Sequence, residues 1–403
     1  MVDKISQIGK KVLFITSTEQ SALKYKADLI SYFDNEATIY PYQNSSLYED
    51  VPLNLYDYAA QIRELFSPSN IIITPIKALM EKIPDRRFFK ENSLNLKIGD
   101  EITQKDLLNK LMELGYKRAT MVSDISEFSI RGDIADIYTL NENPVRIEFW
   151  GDEIADIRLF NNKTQKSIEK IKTISILPLY KFILPENTGD LSKILAGEVA
   201  EKIEEESYFE GINLYQSYLN NNLVSIFNYF KDYIVVFDEY AEVSSKLNQI
   251  IDGYNNSIKE ILKTTPAIFG DRLNHYTEQD IVHYLGGFQK ISLNNFLSDE
   301  NNEVLDIDSK NIQIFDADIE KVAQFILSKK DYKIIIATDY KERVNEILSE
   351  WGIFNVDFID NTNATGTEIP EAKIIFITDR ELFNKRQKNV TSERKKCILL
   401  LKI

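Results

Sequence analysis

Little in this chain can close a disulfide or hold a metal. A single cysteine, Cys397, excludes an internal disulfide framework, and two histidines, His275 and His283, cannot build a Cys/His zinc cluster around one thiol. Such usage fits a reducing compartment, so a cytoplasmic protein is expected. No apolar run reaches 18 residues, and the opening MVDKISQIGKKVLFITSTEQ has only a short apolar stretch, Val12 to Ile15, with no small-residue cleavage site. Membrane spanning and secretion are both unexpected. Glycine is scarce at 14 of 403 residues, about half its usual share. No G-x-x-x-x-G-K-[ST] loop occurs, so the backbone cradle for nucleotide phosphates is missing. Positive charge is also in deficit, 48 Lys and Arg against 63 Asp and Glu, for a net −15. That balance opposes a phosphate backbone over most of the surface and disfavours a tight autonomous DNA binder.

What is present suits a folded protein of several domains. Apolar residues make up 43% and charged residues 28%, ample for packed cores, and about 150 residues per domain gives two to four domains. Val12 to Thr16 is an apolar, β-branched run followed by the helix-start residues Ser17, Thr18 and Glu19, then by Ala22, Leu23, Leu29, Ile30 and Phe33 at helical spacing. Thr38 to Tyr42 reads as extended, Leu55 to Phe66 as a helix and Asn70 to Thr74 as a buried strand. Apolar strands alternating with helices predict a parallel sheet covered on both faces for residues 1–97.

At the Gly99-Asp100 turn the rhythm changes. Thr103 to Leu114 has helical spacing, with Leu107, Leu108 and Leu111 as its stripe and Gly115 as its stop. Glu127 to Leu140, Val145 to Trp150 and Glu153 to Phe160, separated by Asn141-Glu142-Asn143-Pro144 and Gly151-Asp152, read as an antiparallel meander, with Lys172 to Leu177 as a further strand. This makes 98–183 a β-rich insert. Residues 184–305 are expected to be mostly helical around the buried strand Tyr233 to Phe237. In 306–387 an α/β rhythm returns: helix Ala317 to Leu327, strand Lys333 to Thr338, helix Lys341 to Trp351, and strands Val356 to Ile359 and Lys373 to Thr378. The tail 388–403, basic and then apolar, fits no preceding element. The expected fold is therefore α/β and multidomain, with a parallel-sheet module, an inserted antiparallel domain and a following small α/β domain.

Few constellations carry chemistry. VVFDE (235–239) has the form of a Walker-B-like strand end, in which Asp238 and Glu239 would serve a metal-bound or attacking water. Without a phosphate loop the pair reads instead as the corner before a helix, and no catalytic role is assigned. His275 and His283 lie in a polar stretch with no nucleophile elbow, and Gly286-Gly287 reads as a turn. The meander says more. In Val145 to Trp150 the period of two puts Val145, Ile147 and Phe149 on one face and Arg146, Glu148 and Trp150 on the other, with Arg131 expected on the strand beside them. An arginine with an aromatic is the composition of a protein-binding hot spot. It is equally that of a cross-strand Arg–Glu pair beneath a half-buried indole, and pattern alone leaves both open.

The motifs SEFSIRGDIADIYTL (126–140), NPVRIEFWGDEIADIRLFNNKTQKS (143–167) and ILPLYKF (176–182) resemble, in order and spacing, the UvrB-homology region of bacterial transcription-repair coupling factors. VLFITSTEQSALKYKADLISYF, IYPYQNSSLYEDVP and IIITPIKALMEKIP look like that family's degenerate helicase-like module, whose two parts would be 1–97 and 184–305. ATDYKERVNEILSEWGI and IIFITDRELFNKR look like its next small α/β domain. The resemblance implies that the insert binds UvrA, with Arg131, Arg146 and Trp150 at contact positions and Glu148 at an acidic one; Trp150 replaces the usual Phe. It implies a non-catalytic part in transcription-coupled nucleotide-excision repair, no cofactor for this chain, and a truncation before the domains that bind RNA polymerase and translocate on DNA with ATP and magnesium. Two alternatives stand beside it: a vestigial or partner-completed DNA-dependent ATPase using Asp238 and Glu239, and an intramolecular clamp on a motor domain.

Overall fold

The computed structural model describes residues 10–33, 37–43, 53–141, 143–184, 197–206, 208–209, 211–264, 273–294, 303–307, 309–360, 365–384 and 397–402. Residues 44–52 and most of the tail at 388–403 thus lie outside the described residues. Strand β1 (Lys11–Thr16) is buried along Val12 to Thr16. Helix α1 (Glu19–Phe33), strand β2 (Ala37–Ile39), helix α2 (Leu55–Phe66) and strand β3 (Ile71–Pro75) follow. Helix α2 starts where it does because Asn54 caps it, its side chain accepting from the Tyr56 and Asp57 amides. The short pieces β4 (Ile83–Pro84) and α3 (Arg86–Asn92) lead out of this layer.

The insert opens with β5 (Leu94–Lys97) and helix α4 (Gln104–Glu113), which is capped by Thr103. Then come β6 (Lys117–Arg118), β7 (Glu127–Arg131), β8 (Ile134–Ile137), β9 (Val145–Trp150), β10 (Glu153–Phe160) and β11 (Ser167–Lys170), which form one sheet in the order β11-β10-β9-β8-β7-β6. The segment expected as one strand from Glu127 to Leu140 is two, folded back at Gly132-Asp133. The hairpin at Gly151-Asp152 has the same form. Both glycines take positive φ, 55° and 65°, at the first central position of a two-residue turn, where a side chain would strain the backbone. The expected strand near Lys172 is β12 (Thr173–Ile176), which pairs with β5 rather than with the meander. The inner face of the sheet buries Phe128, Ala135, Ile137, Val145, Ile147, Phe149, Ile154 and Ile157 in a core shared with Leu107 and Leu111 of α4.

The chain then returns through α5 (Gly197–Glu206), α6 (Gln216–Leu219) and β13 (Leu223–Val224) to β14 (Tyr233–Asp238). It continues into α7 (Tyr240–Thr264), α8 (Glu278–Leu285), β15 (Lys290–Asn294) and β16 (Glu303–Ile307). This stretch holds more strand than its mostly helical reading: β13, β15 and β16 join β14. Strands β2, β3, β1, β14 and β15 lie side by side and parallel, with β1 in the middle.

The last unit comprises β17 (Lys310–Asn311), α9 (Ile319–Leu327), β18 (Lys333–Ala337), α10 (Lys341–Glu350), β19 (Val356–Ile359), β20 (Thr367–Ile369), β21 (Ile374–Thr378) and α11 (Asp379–Phe383). Its sheet has the order β17-β20-β21-β18-β19, and its core is separate. A final strand, β22 (Cys397–Lys402), lies antiparallel between β15 and β16, so this part of the tail joins an earlier sheet. The molecule is mixed α/β, with parallel and antiparallel sheets. No described helix is long and apolar enough to cross a membrane.

Candidate protein-docking face

The outward face of the meander is built from side chains of alternating parity. Register places Asp136 of β8 opposite Arg146 of β9, Arg146 opposite Arg158 of β10, and Arg158 opposite Lys170 of β11. A second row sets Ile134, Glu148 and Asp156 side by side. Two arginines in direct cross-strand register repel each other, and the carboxylates on either side answer that repulsion. Asp136 accepts from Arg146 Nε at 2.6 Å and Nη2 at 2.9 Å, a bidentate pair. Arg158 bridges Glu148 and Asp156, the latter at 3.2 Å, and Lys170 reaches Asp156 at 3.3 Å.

Arg146 is held on three sides. Besides Asp136 it donates to Gln165 Oε1 at 3.3 Å, and its guanidinium lies 4.7 Å from the centre of the Phe160 ring. The hydrogen bond to Asp136, more than its charge, holds the Arg146 pKa above the ordinary guanidinium value. Its side chain is 19% exposed. Arg131 is looser: one donation to Asp136 Oδ2 at 3.3 Å and a side chain 56% exposed. It is not on the strand beside β9, as the sequence reading expected. The Gly132-Asp133 turn puts β8 between them, and the two arginines come together only through Asp136.

Glu148 is taken up by Arg158, and Trp150 stands at the hairpin tip 82% exposed. The four singled-out residues thus share a face, and none points into the apolar interior. The alternative of a cross-strand Arg–Glu pair beneath a half-buried indole is met in one part only: Glu148 pairs across strands with Arg158, beside the Arg146–Asp136 pair, but the indole is uncovered. Asp136, Asp156, Arg158, Gln165 and Lys170, which the sequence pattern does not single out, complete the face. Alternation along Glu153 to Phe160 could have grouped Asp156 with Arg158, but the irregularity between Ile154 and Asp156 changes which residues face out.

At the parallel sheet, Asp238 ends β14 and accepts from the Tyr25 hydroxyl at 2.7 Å. Glu239 takes positive φ, 55°, donates its amide to the Leu293 carbonyl, and accepts the Glu242 and Val243 amides on its own carbonyl. This is a corner starting α7. Beside it, β1 passes into α1 through Ser17 and Thr18 alone, and Ser17 donates to Glu242 at 2.6 Å. His275 is buried against Tyr254, and burial lowers its pKa to about 4; His283 sits on α8. Gly286 closes that helix, with its amide on the Val282 and His283 carbonyls.

Comparison with known proteins places the same region in view. Residues 94–182 match the UvrB interaction domain. Over 96% of its length the chain is 25% identical to the transcription-repair-coupling factors of Staphylococcus aureus (strain NCTC 8325 / PS 47) and Staphylococcus haemolyticus (strain JCSC1435), covering 37% of each. The chain therefore spans little more than a third of the length of these curated relatives. The motif resemblance read from the sequence holds along nearly the whole chain.

Proposed function

We propose that this chain is the UvrA-recruiting part of a transcription-repair coupling factor, docking UvrA through the outward face of β7 to β10. One observation carries the reading: Trp150 projects uncovered at the hairpin tip, on the face where Arg146 and Glu148 of the same strand are held by Asp136 and Arg158. A large indole left in water at the edge of an ordered polar surface is the form of a hot-spot anchor waiting for a pocket. The match of residues 94–182 to the UvrB interaction domain supports the same location.

The proposed role is non-catalytic. The parallel-sheet layer is read as a helicase-like module in which Asp238 and Glu239 serve the fold, and the two-residue passage from β1 into α1 supports this by leaving no room for a phosphate cradle. The chain then needs no nucleotide or metal of its own. RNA polymerase, DNA, ATP and magnesium belong to further domains of such a factor, and residence in the cytoplasm follows from that role. Calorimetric titration of the full chain with UvrA tests the docking site. Trp150→Ala and Arg131→Ala should each weaken binding by about 10-fold or more while leaving the folded chain intact. Wild-type affinity in both variants would defeat the assignment.

A further inference from the structure

We infer that Asp136 is a positioning residue of the docking face, a buried carboxylate that fixes the Arg146 guanidinium and tethers that of Arg131 in the orientation a partner meets. The inference rests on the reading of this face as a UvrA surface and adds a residue that does not itself reach the partner. Asp136 is 1% exposed. A carboxylate is rarely buried so completely without pairing, because its desolvation must be offset by opposite charge and hydrogen bonds. Here both oxygens are used: Oδ1 takes Arg146 Nε, and Oδ2 takes Arg146 Nη2 and Arg131 Nη2.

The consequence lies in what the arginines still offer. The Nε and Nη2 edge of Arg146 is committed to Asp136 and Gln165, and one face of its plane to Phe160. Its Nη1 edge has no hydrogen bond among the described residues, so two N–H groups point away from Asp136 in a fixed plane. Arg131 spends one contact and keeps the rest of its fork for solvent or a partner. Held in advance, such groups lose less rotamer freedom when a partner docks. Without the carboxylate, two guanidinium groups that share one anion would repel and move apart.

Asp136→Asn keeps the shape and removes the charge. Titrated into UvrA, this variant of the full chain should bind about 10-fold more weakly, and the loss should vanish in a background carrying Arg131→Ala and Arg146→Ala, since the carboxylate acts only through those two side chains. A loss of equal size in both backgrounds would mark a general fold defect and overturn the inference, as would wild-type affinity for Asp136→Asn. Should that variant not fold, the wild-type chain still decides. The 15N order parameter of the Arg146 Nε should match rigid backbone, and an Nε as mobile as that of exposed Arg343 on α10 would overturn the inference. Failure of the docking reading looks different: Trp150→Ala and Arg131→Ala would then also bind as wild type.

Discussion

Phe149 and Trp150 are adjacent aromatics with opposite fates, because successive strand residues face opposite sides. Phe149 is buried in the insert core, whereas Trp150 is in water. Phe149→Ala should therefore destabilise the chain by about 3–5 kcal/mol, and Trp150→Ala should shift stability by less than about 0.5 kcal/mol. Urea unfolding midpoints of the two variants check this; an equal effect would mean that the indole is packed. His275 supplies a second residue-scale expectation. Burial holds its pKa at about 4, against an ordinary value of 6.5. The unfolded chain therefore binds more protons between those values, so this contribution is complete above pH 6.5 and is lost as pH falls toward 4. The loss is up to roughly 3 kcal/mol, and a His275→Gln variant should lack that part of the pH dependence in urea titrations at pH 7.5, 5.5 and 4.5.

At the scale of elements, the meander depends on its turns. The β9–β10 hairpin carries Trp150 at its tip, and its register follows from the tight turn at Gly151. An added Cβ at Gly151 would meet nothing within 4 Å, so the penalty for Gly151→Ala is that of backbone conformation alone. It should be about 1–2 kcal/mol, read as a lowered unfolding midpoint. The insert also differs electrically from its host. Between Leu94 and Phe182 thirteen basic residues nearly balance fourteen acidic ones, while the whole chain carries −15.

At the scale of the molecule, the insert is tied back to the parallel-sheet layer by a buried ion pair between residues 100 positions apart. Lys181 reaches Glu81 at 3.2 Å, and Glu81 also accepts from the Gln43 amide and from Gln61 Nε2 at 2.9 Å. Breaking one side strands a buried charge. Lys181→Met should cost about 3–5 kcal/mol, with much of this recovered in the Glu81→Gln, Lys181→Met double variant; additive losses in denaturant titrations would argue against the pair. Tyr56 adds an outer tie, its hydroxyl donating to Asp124 at 2.5 Å.

How much of this could be read in advance depends on range. Strands β9 and β10 and helix α2 fall on the residues expected from periodicity and turn signals, because each is specified by side chains within a few positions. The split of Glu127 to Leu140 was missed although Gly132-Asp133 carries the same Gly-Asp signal as Gly151-Asp152, because the alternation of Phe128, Ile130 and Ile134 runs on through it as in one long strand. Strands β15 and β16 were missed because the sheet, not their composition, makes them strands. By itself the sequence determined which side chains of β9 share a face and which enter the core, since that parity is a property of the pleat. Only the tertiary structure decided that Arg131 and Arg146 meet on one buried carboxylate and that Glu148 answers to Arg158. Those pairings depend on register across four strands, β7 to β10; the Gly-Asp turns are local signals, but the irregularity between Ile154 and Asp156 and the packing that selects the partners are not encoded in any local pattern.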